Sequence, residues 1–201
     1  MYPEAFIGGG IFVENMTAYS SVPKIVPFVT SIIYTTGPGH LIINNSKFSS
    51  YFEFPSSGAL LFIIGSEIWD PITNIIQYAN VTNSYISMPE NPSENRFTTT
   101  ALITAATPNG RPAEQYYINN TIENVYRNVF PVVWMASTPQ VKNFATGNIF
   151  RNSSSLDAIM RMSTVQGTMT DNLFENLTDH SGYILATQDM ITLFATNTTF
   201  R

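Results

Sequence analysis

Cysteine is absent from this chain of 201 residues and charge is scarce, with Lys, Arg, Asp and Glu making up 11% of it against about 25% in an average soluble domain. The first absence excludes a disulfide framework, a thiolate metal site and a cysteine nucleophile. It leaves the compartment open, because stacked repeats need no cross-links. The second absence removes the residues that build the solvent face of long helices. No cluster of Lys or Arg occurs and the net charge is -5. Neither a nucleic-acid partner nor an acidic membrane surface is therefore expected, since phosphate binding takes several clustered cations. The longest apolar stretches, 59–64 and 129–136, are too short to cross a bilayer, so no membrane span is expected. The opening Met1-Tyr-Pro-Glu-Ala-Phe6 has neither the basic nor the apolar region of a signal peptide. The expectation is a chain not exported as written, or a segment of a longer or processed protein.

What the chain does have is Asn, Ser, Thr and aromatic side chains, the last at 13% and mostly Phe and Tyr. That profile favours strands. A short motif recurs, a turn-forming residue followed three places later by a large apolar one: Asn45 to Phe48, Asn83 to Ile86, Asn119 to Ile122, Gly147 to Phe150, Asp171 to Phe174 and Asn197 to Phe200. Successive anchors lie 38, 36, 28, 24 and 26 residues apart. Three strands and their turns need roughly 20 to 28 residues, so the last three intervals read as bare coils and the first two as coils with insertions. The insertions are Gly65–Pro71, Met88–Asn95 and Thr107–Pro112, all rich in turn formers. A second apolar segment follows each anchor: 59–64, 101–106, 132–136, 158–162 and 184–187. In 158–162, Ala158, Met160 and Met162 fall on one side and Ile159 and Arg161 on the other, the period of a strand with one face in a core. Residues 8–17 begin a further coil, with 25–28 and 31–34 as its later strands.

These features predict an all-β chain, a right-handed parallel β-helix of about seven coils in a single domain over 1–201, its hand taken from the chirality of parallel crossovers. The residue three before each anchor needs a left-handed backbone, which Asn, Asp and Gly tolerate. Asn45, Asn83 and Asn119 are expected to form a side-chain ladder. Phe48, Ile86, Ile122, Phe150, Phe174 and Phe200 are expected to form an internal column.

The pairing of Gly8-Gly-Gly-Ile11 with Phe12-Val-Glu-Asn15 resembles the GGA(I/V/L) and FxxN repeats of polymorphic outer-membrane-type β-helix proteins. The spacing is similar to that of the pectin-lyase-like superfamily, which includes large surface proteins of protists. Later coils depart to Phe150-Arg-Asn152 and Phe174-Glu-Asn176.

Seven N-x-S/T sequons stand at Asn15, Asn44, Asn80, Asn119, Asn152, Asn176 and Asn197, close to one per coil; composition alone accounts for roughly four. In an exported protein they are candidate glycan acceptors, with Asn15, Asn152 and Asn176 favoured because they follow an anchor. Carbohydrate cleavage would need clustered carboxylates. The five Asp residues, 70, 157, 171, 179 and 189, are scattered. Asp157 and Asp179 lie one coil apart, and Asp179, His180 and Arg161 form the best constellation, for which solvated surface charge is the plainer account. The pectate-lyase and polygalacturonase patterns of pectin-lyase-like relatives are absent. His40 reads as a turn residue, Trp69 as a contact or lid in an insertion and Trp134 as packing. No phosphate loop, nucleophile elbow or zinc signature occurs, and no metal or cofactor is expected.

The leading expectation is a non-enzymatic structural module, extracellular or on the cell surface, that stacks end to end with copies of itself or with neighbouring domains of the same chain. Its motif runs to Phe200-Arg201, leaving an uncapped edge. A carbohydrate-binding or carbohydrate-cleaving β-helix, with a groove built by the insertions near Trp69 and 88–97, is the competing class. An intracellular scaffold subunit is a third.

Overall fold

The computed structural model describes residues 10–19, 33–38, 40–49, 59–66, 76–87, 100–107, 113–125, 131–137, 141–155, 157–163, 166–179, 183–188 and 192–201. All regular structure among them is β. A first sheet stacks β1 (Gly10–Glu14), β4 (His40–Asn44), β7 (Ile76–Thr82), β10 (Ala113–Ile118), β13 (Val141–Thr146), β16 (Gln166–Thr170) and β19 (Thr192–Thr196). A second stacks β2 (Thr17–Tyr19), β5 (Lys47–Ser49), β8 (Tyr85–Ser87), β11 (Thr121–Glu123), β14 (Ile149–Ser155), β17 (Leu173–Asp179) and β20 (Thr199–Phe200). The third holds six strands: β3 (Ile33–Pro38), β6 (Ala59–Ser66), β9 (Thr100–Thr107), β12 (Val133–Ser137), β15 (Ala158–Ser163) and β18 (Tyr183–Gln188). The chain visits the three sheets in turn and every inter-strand pairing is parallel. Each circuit thus rises by one strand spacing, about 4.8 Å, and the product is a β-solenoid.

The corner between the first and second sheets explains the sequence motif. It is two residues long. Its first residue has positive φ in every rung: Asn15 (55°), Asn45 (47°), Asn83 (51°), Asn119 (55°), Gly147 (65°), Asp171 (56°) and Asn197 (49°). These are the residue types that enter the left-handed region at least cost. At Gly147 a Cβ would meet Asn119 Oδ1 at 2.3 Å, so a side chain there would require the exposed Asn119 amide to turn aside. Asn124, Asn152 and Asn176, two places after their anchors, repeat the left-handed conformation at φ 60°, 49° and 50°.

The expected anchor column is present. Ala18, Phe48, Ile86, Ile122, Phe150, Phe174 and Phe200 lie in register on successive rungs, and the five from Phe48 to Phe174 are buried. Phe150 stacks on Phe174 at 4.7 Å and Phe174 on Phe200 at 4.9 Å, with interplanar angles of 5° and 12°. Facing them in the core are Ile43, Val81, Tyr117, Ala145 and Met169 from the first sheet, and Val133, Met135, Met160 and Met162 from the third. Each buried Phe contributes about 1.5–3 kcal/mol by transfer from water.

The asparagine ladder needs correction. Asn45, Asn83 and Asn119 have exposed side chains, and their links are uneven. Asn45 Nδ2 donates to Asn15 Oδ1 (2.6 Å), Asn83 Nδ2 to Asn44 Oδ1 (3.1 Å) and Asn119 Nδ2 to Asn83 Oδ1 (3.4 Å). The buried ladder is one residue further on, the second residue of the corner. Ser46 N–H donates to Ser84 Oγ (3.2 Å), Ser84 N–H to Asn120 Oδ1 (2.9 Å), Asn120 N–H to Asn148 Oδ1 (3.0 Å) and Asn148 N–H to Asn172 Oδ1 (3.0 Å). The three amides also donate back to the preceding first-sheet strand, to Val81, Tyr117 and Ala145 carbonyls at 2.7–2.8 Å. A left-handed residue turns its own side chain out to solvent, so the next one points inward and must satisfy the buried backbone.

Two smaller corrections follow from register. In β15 Ile159 is as buried as Ala158, Met160 and Met162, so that strand is covered on more than its core face. His40 is the first residue of β4 and not a turn. The segments 25–28, 67–71 with Trp69, 88–97 and 108–112 lie outside the described residues.

Asn148→Ala removes the donor to the Tyr117 carbonyl and the acceptor of the Asn120 N–H, both buried. Each such group left unsatisfied costs roughly 1–3 kcal/mol, so a total on the order of 3 kcal/mol is expected. Urea denaturation measures it, and a loss under about 1 kcal/mol would show the ladder to be incidental.

Candidate functional site

The outward faces come first, because a binding or catalytic site must be reachable. On the second sheet the position after the anchor is Tyr19, Ser49 and Ser87 in the first three rungs and becomes a charged row in the last four. Glu123, Arg151 and Glu175 are in register on adjacent strands, and Arg201 continues the row, its N–H bonded to the Phe174 carbonyl. The signs alternate. Arg151 Nε and the Tyr85 hydroxyl both donate to the Glu123 carboxylate, and the Lys47 ammonium lies 5.1 Å from the Tyr85 ring centroid. Burial opposes a charge on Glu123, but the hydrogen bonds from Tyr85 and Arg151 outweigh it and hold its carboxyl below the ordinary range. Burial, helped by Glu123, pushes the Tyr85 phenol up, and the bond to Glu123 raises Arg151. This row is internally neutralised and presents little charge to a ligand.

The first sheet carries an aromatic row on its outer side. Phe12, Ile42, Asn80, Tyr116, Phe144, Thr168 and Phe194 are in register. Tyr116 and Phe144 stack at 4.8 Å and 10°, so each ring spends a face on its neighbour. The Tyr116 hydroxyl donates to Glu114, and desolvation followed by that bond pushes its pKa up to about 12.

The last rung is different. Phe194 is 55% exposed and Phe200 51%, with Leu193 beside them. The in-register Phe174, one rung below Phe200, is fully buried. At the other end Phe12, in the same row as Phe194, is 71% exposed.

The sequons fall into three environments. Asn15, Asn119 and Asn197 occupy the first left-handed corner and Asn176 the second, all exposed. Asn152 is at the second corner, half-buried, with its Oδ1 accepting from Asn176 Nδ2 at 2.8 Å. Asn44 and Asn80 lie within strands; Asn44 bonds Glu14, Thr82 and Asn83. Asn15 therefore belongs with the pre-anchor corner and not, as its sequence context suggests, with Asn152 and Asn176.

The expected neighbouring of Asp157 and Asp179 is not found in the strand register. Asp179 pairs in register with Ser155, not Asp157, and Asp157 is engaged by Arg161 four residues on. His180 lies outside the described residues. Trp134 is in β12, in register with Arg161. Among the described residues no group of three His, Cys, Asp or Glu is placed to hold a metal ion, and no helix is long and apolar enough to cross a membrane. The charged row was missed in the sequence, although Glu123, Arg151, Glu175 and Arg201 all stand one place after an anchor and could have been read from it.

Because its folded pKa is depressed, Glu123 contributes stability that is complete above its ordinary value of 4.5 and is lost as pH falls through the folded value. Urea midpoints at pH 7 and pH 3 are expected to differ less in Glu123→Gln than in the parent chain. An unchanged difference would mean the row does not stabilise the fold.

No protein family, curated protein or solved structure matches the chain, which leaves its own rungs as the ground for a functional reading.

Proposed function

We propose that this chain is a non-enzymatic structural module, a length of β-solenoid from an extracellular or cell-surface protein, glycosylated at its corners and serving in a filament or an adhesin stalk. One observation carries the reading. Every described strand pairs in parallel with its neighbours one rung away, and charges and rings on the sides are engaged in the same way, which is how a repeat body spends its side chains on holding the stack together. The resemblance of 8–15 to the repeats of polymorphic outer-membrane-type proteins, and of the spacing to the pectin-lyase-like superfamily, supports a surface location.

Corner geometry says where glycans belong. A left-handed corner turns the amide into solvent, and an acceptor asparagine needs that access. In chain made through a eukaryotic secretory pathway, peptide mass spectrometry is expected to find glycans on Asn15, Asn119, Asn176 and Asn197. Asn80, within a strand, is expected to be bare. On Asn152 and Asn176, one strand spacing apart and bonded to each other, single occupancy is expected. Seven bare sequons in native material would overturn the extracellular reading. The non-enzymatic reading is tested by incubating the chain with a panel of polysaccharides and assaying reducing ends: no release is expected, and release that disappears in Asp157→Ala or Glu123→Gln would overturn it.

A further inference from the structure

We infer that the core holds an ordered water beside Asn143, in the place that Gly167 leaves open on the next rung. The inference concerns the inside of the solenoid and stands whatever the role of the module. Three observations on the inward face of the first sheet point to it.

The first is the amide itself. Asn143 has no exposed surface, and neither its Oδ1 nor its Nδ2 has a hydrogen-bonding partner. Among the described residues it is alone in having both side-chain polar atoms buried and unpaired. It stands between Val141 and Ala145 on the buried side of β13, which keeps the amide away from bulk solvent. Buried amides in folded proteins are paired, with other protein groups or with ordered water. Exchanging the amide oxygen and nitrogen of Asn143 changes nothing, since both atoms are in the same position.

The second is Gly167. Gln115, Asn143 and Gly167 occupy successive places in one inward row, with Asn143 in the middle. Gly167 is buried and lies inside β16. Among the described residues Gly147 is the only glycine with positive φ, so backbone conformation does not ask for glycine at 167. A glycine inside a strand gives up side-chain packing and marks a place where something else comes close. At the corner, where asparagines follow one another inward, each amide is taken by the next: Asn120 Nδ2 donates to Asn148 Oδ1 and Asn148 Nδ2 to Asn172 Oδ1, both at 3.0 Å. The equivalent neighbour of Asn143 has no side chain. The unpaired amide and the missing side chain fall one strand spacing apart, about 4.8 Å.

The third is chemical character. The row reads Leu41, Ala79, Gln115, Asn143, Gly167 and Leu193, without a carboxylate, ammonium or guanidinium group. Beside it the Tyr117 hydroxyl donates to Gln115 Oε1 at 3.4 Å. A charged guest would find no countercharge in the row and would be costly to bury. Asn143 presents an acceptor and a donor side by side, so its guest must donate and accept at once and fit the volume of a side chain. Water meets these requirements, donating to Oδ1 and accepting from Nδ2.

Two kinds of measurement test the site. In a crystal structure of the 201-residue chain that resolves ordered solvent, one water is expected within hydrogen-bonding distance of Asn143 Oδ1 and Nδ2. An amide with no solvent neighbour, or one bonded to protein instead, would overturn the inference. In solution, oxygen-17 magnetic relaxation dispersion counts waters held too long to exchange freely. Asn143→Leu keeps the size of the side chain and removes both hydrogen-bonding atoms, so the folded variant is expected to hold one long-lived water fewer than the parent; an equal count would overturn the site. Gly167→Asn offers the amide the partner that its counterparts have at the corner. It is expected to lose the same water and to shift the urea midpoint upward. Gly167→Ala crowds the water without replacing its bonds and is expected to shift the midpoint downward, although alanine is the better residue inside a strand. An upward shift in Gly167→Ala would show an unfilled apolar gap in place of the water. Circular dichroism establishes that each variant compared is folded, and the crystal structure of the parent decides the matter even where a variant does not fold.

Discussion

The structure depends on the two-residue corner between the first and second sheets. Its first residue takes a left-handed backbone, which lets the chain turn without spending a longer loop, and in the five middle rungs its second, Ser46, Ser84, Asn120, Asn148 or Asn172, points a small polar side chain into the core. The polar side chain then ties three rungs together. Asn120, for instance, accepts from Ser84 N–H below, donates to the Val81 carbonyl, and sends both its N–H and its Nδ2 to Asn148 Oδ1 above. A slip of one residue in any strand would turn this amide outward and leave buried backbone groups unpaired, so the corner fixes the register for all three sheets. The Phe column and the charged row inherit that register and could not align without it.

The fold was legible because two independent periodicities agreed: a left-handed residue type and, three places later, a large apolar one. Their agreement located six of the seven corners and the anchor column. The ladder was placed one residue too early, since Asn45, Asn83 and Asn119 answer to backbone conformation while Ser84, Asn120, Asn148 and Asn172 answer to buried hydrogen bonding. In sequence both are small polar residues in a row, and only the turn's geometry separates them. The first-sheet strands were harder still. Their inward positions include Gln115, Asn143 and Gly167 in one register row, which breaks the apolar alternation by which a strand is recognised. Asn143 is fully buried with neither amide atom bonded within the chain, a local rule broken where the sequence offers no warning.

Low charge follows from the same architecture. A parallel stack brings like positions within about 4.8 Å of one another, so a row of equal charges would repel along its length. The charged row avoids this by alternation, Glu123, Arg151, Glu175, Arg201, and the remaining outer rows are filled largely by Thr, Asn and aromatic residues whose neighbours can bond or stack without charge. Thr196 Oγ1 donating to Thr170 Oγ1 at 3.3 Å is an example. Chemistry on the sides is thereby internalised.

The stack is polar along its axis. Every described strand pairs in parallel, and at Met16, Ser46, Ser84, Asn120 and Asn148 the corner N–H donates to the following rung's side-chain oxygen. A rung laid on in the opposite sense would lose the parallel pairing and oppose donor to donor. Directionality is thus a property of the corner, repeated from rung to rung, and it is the same two residues that set both the register and the sense of the solenoid.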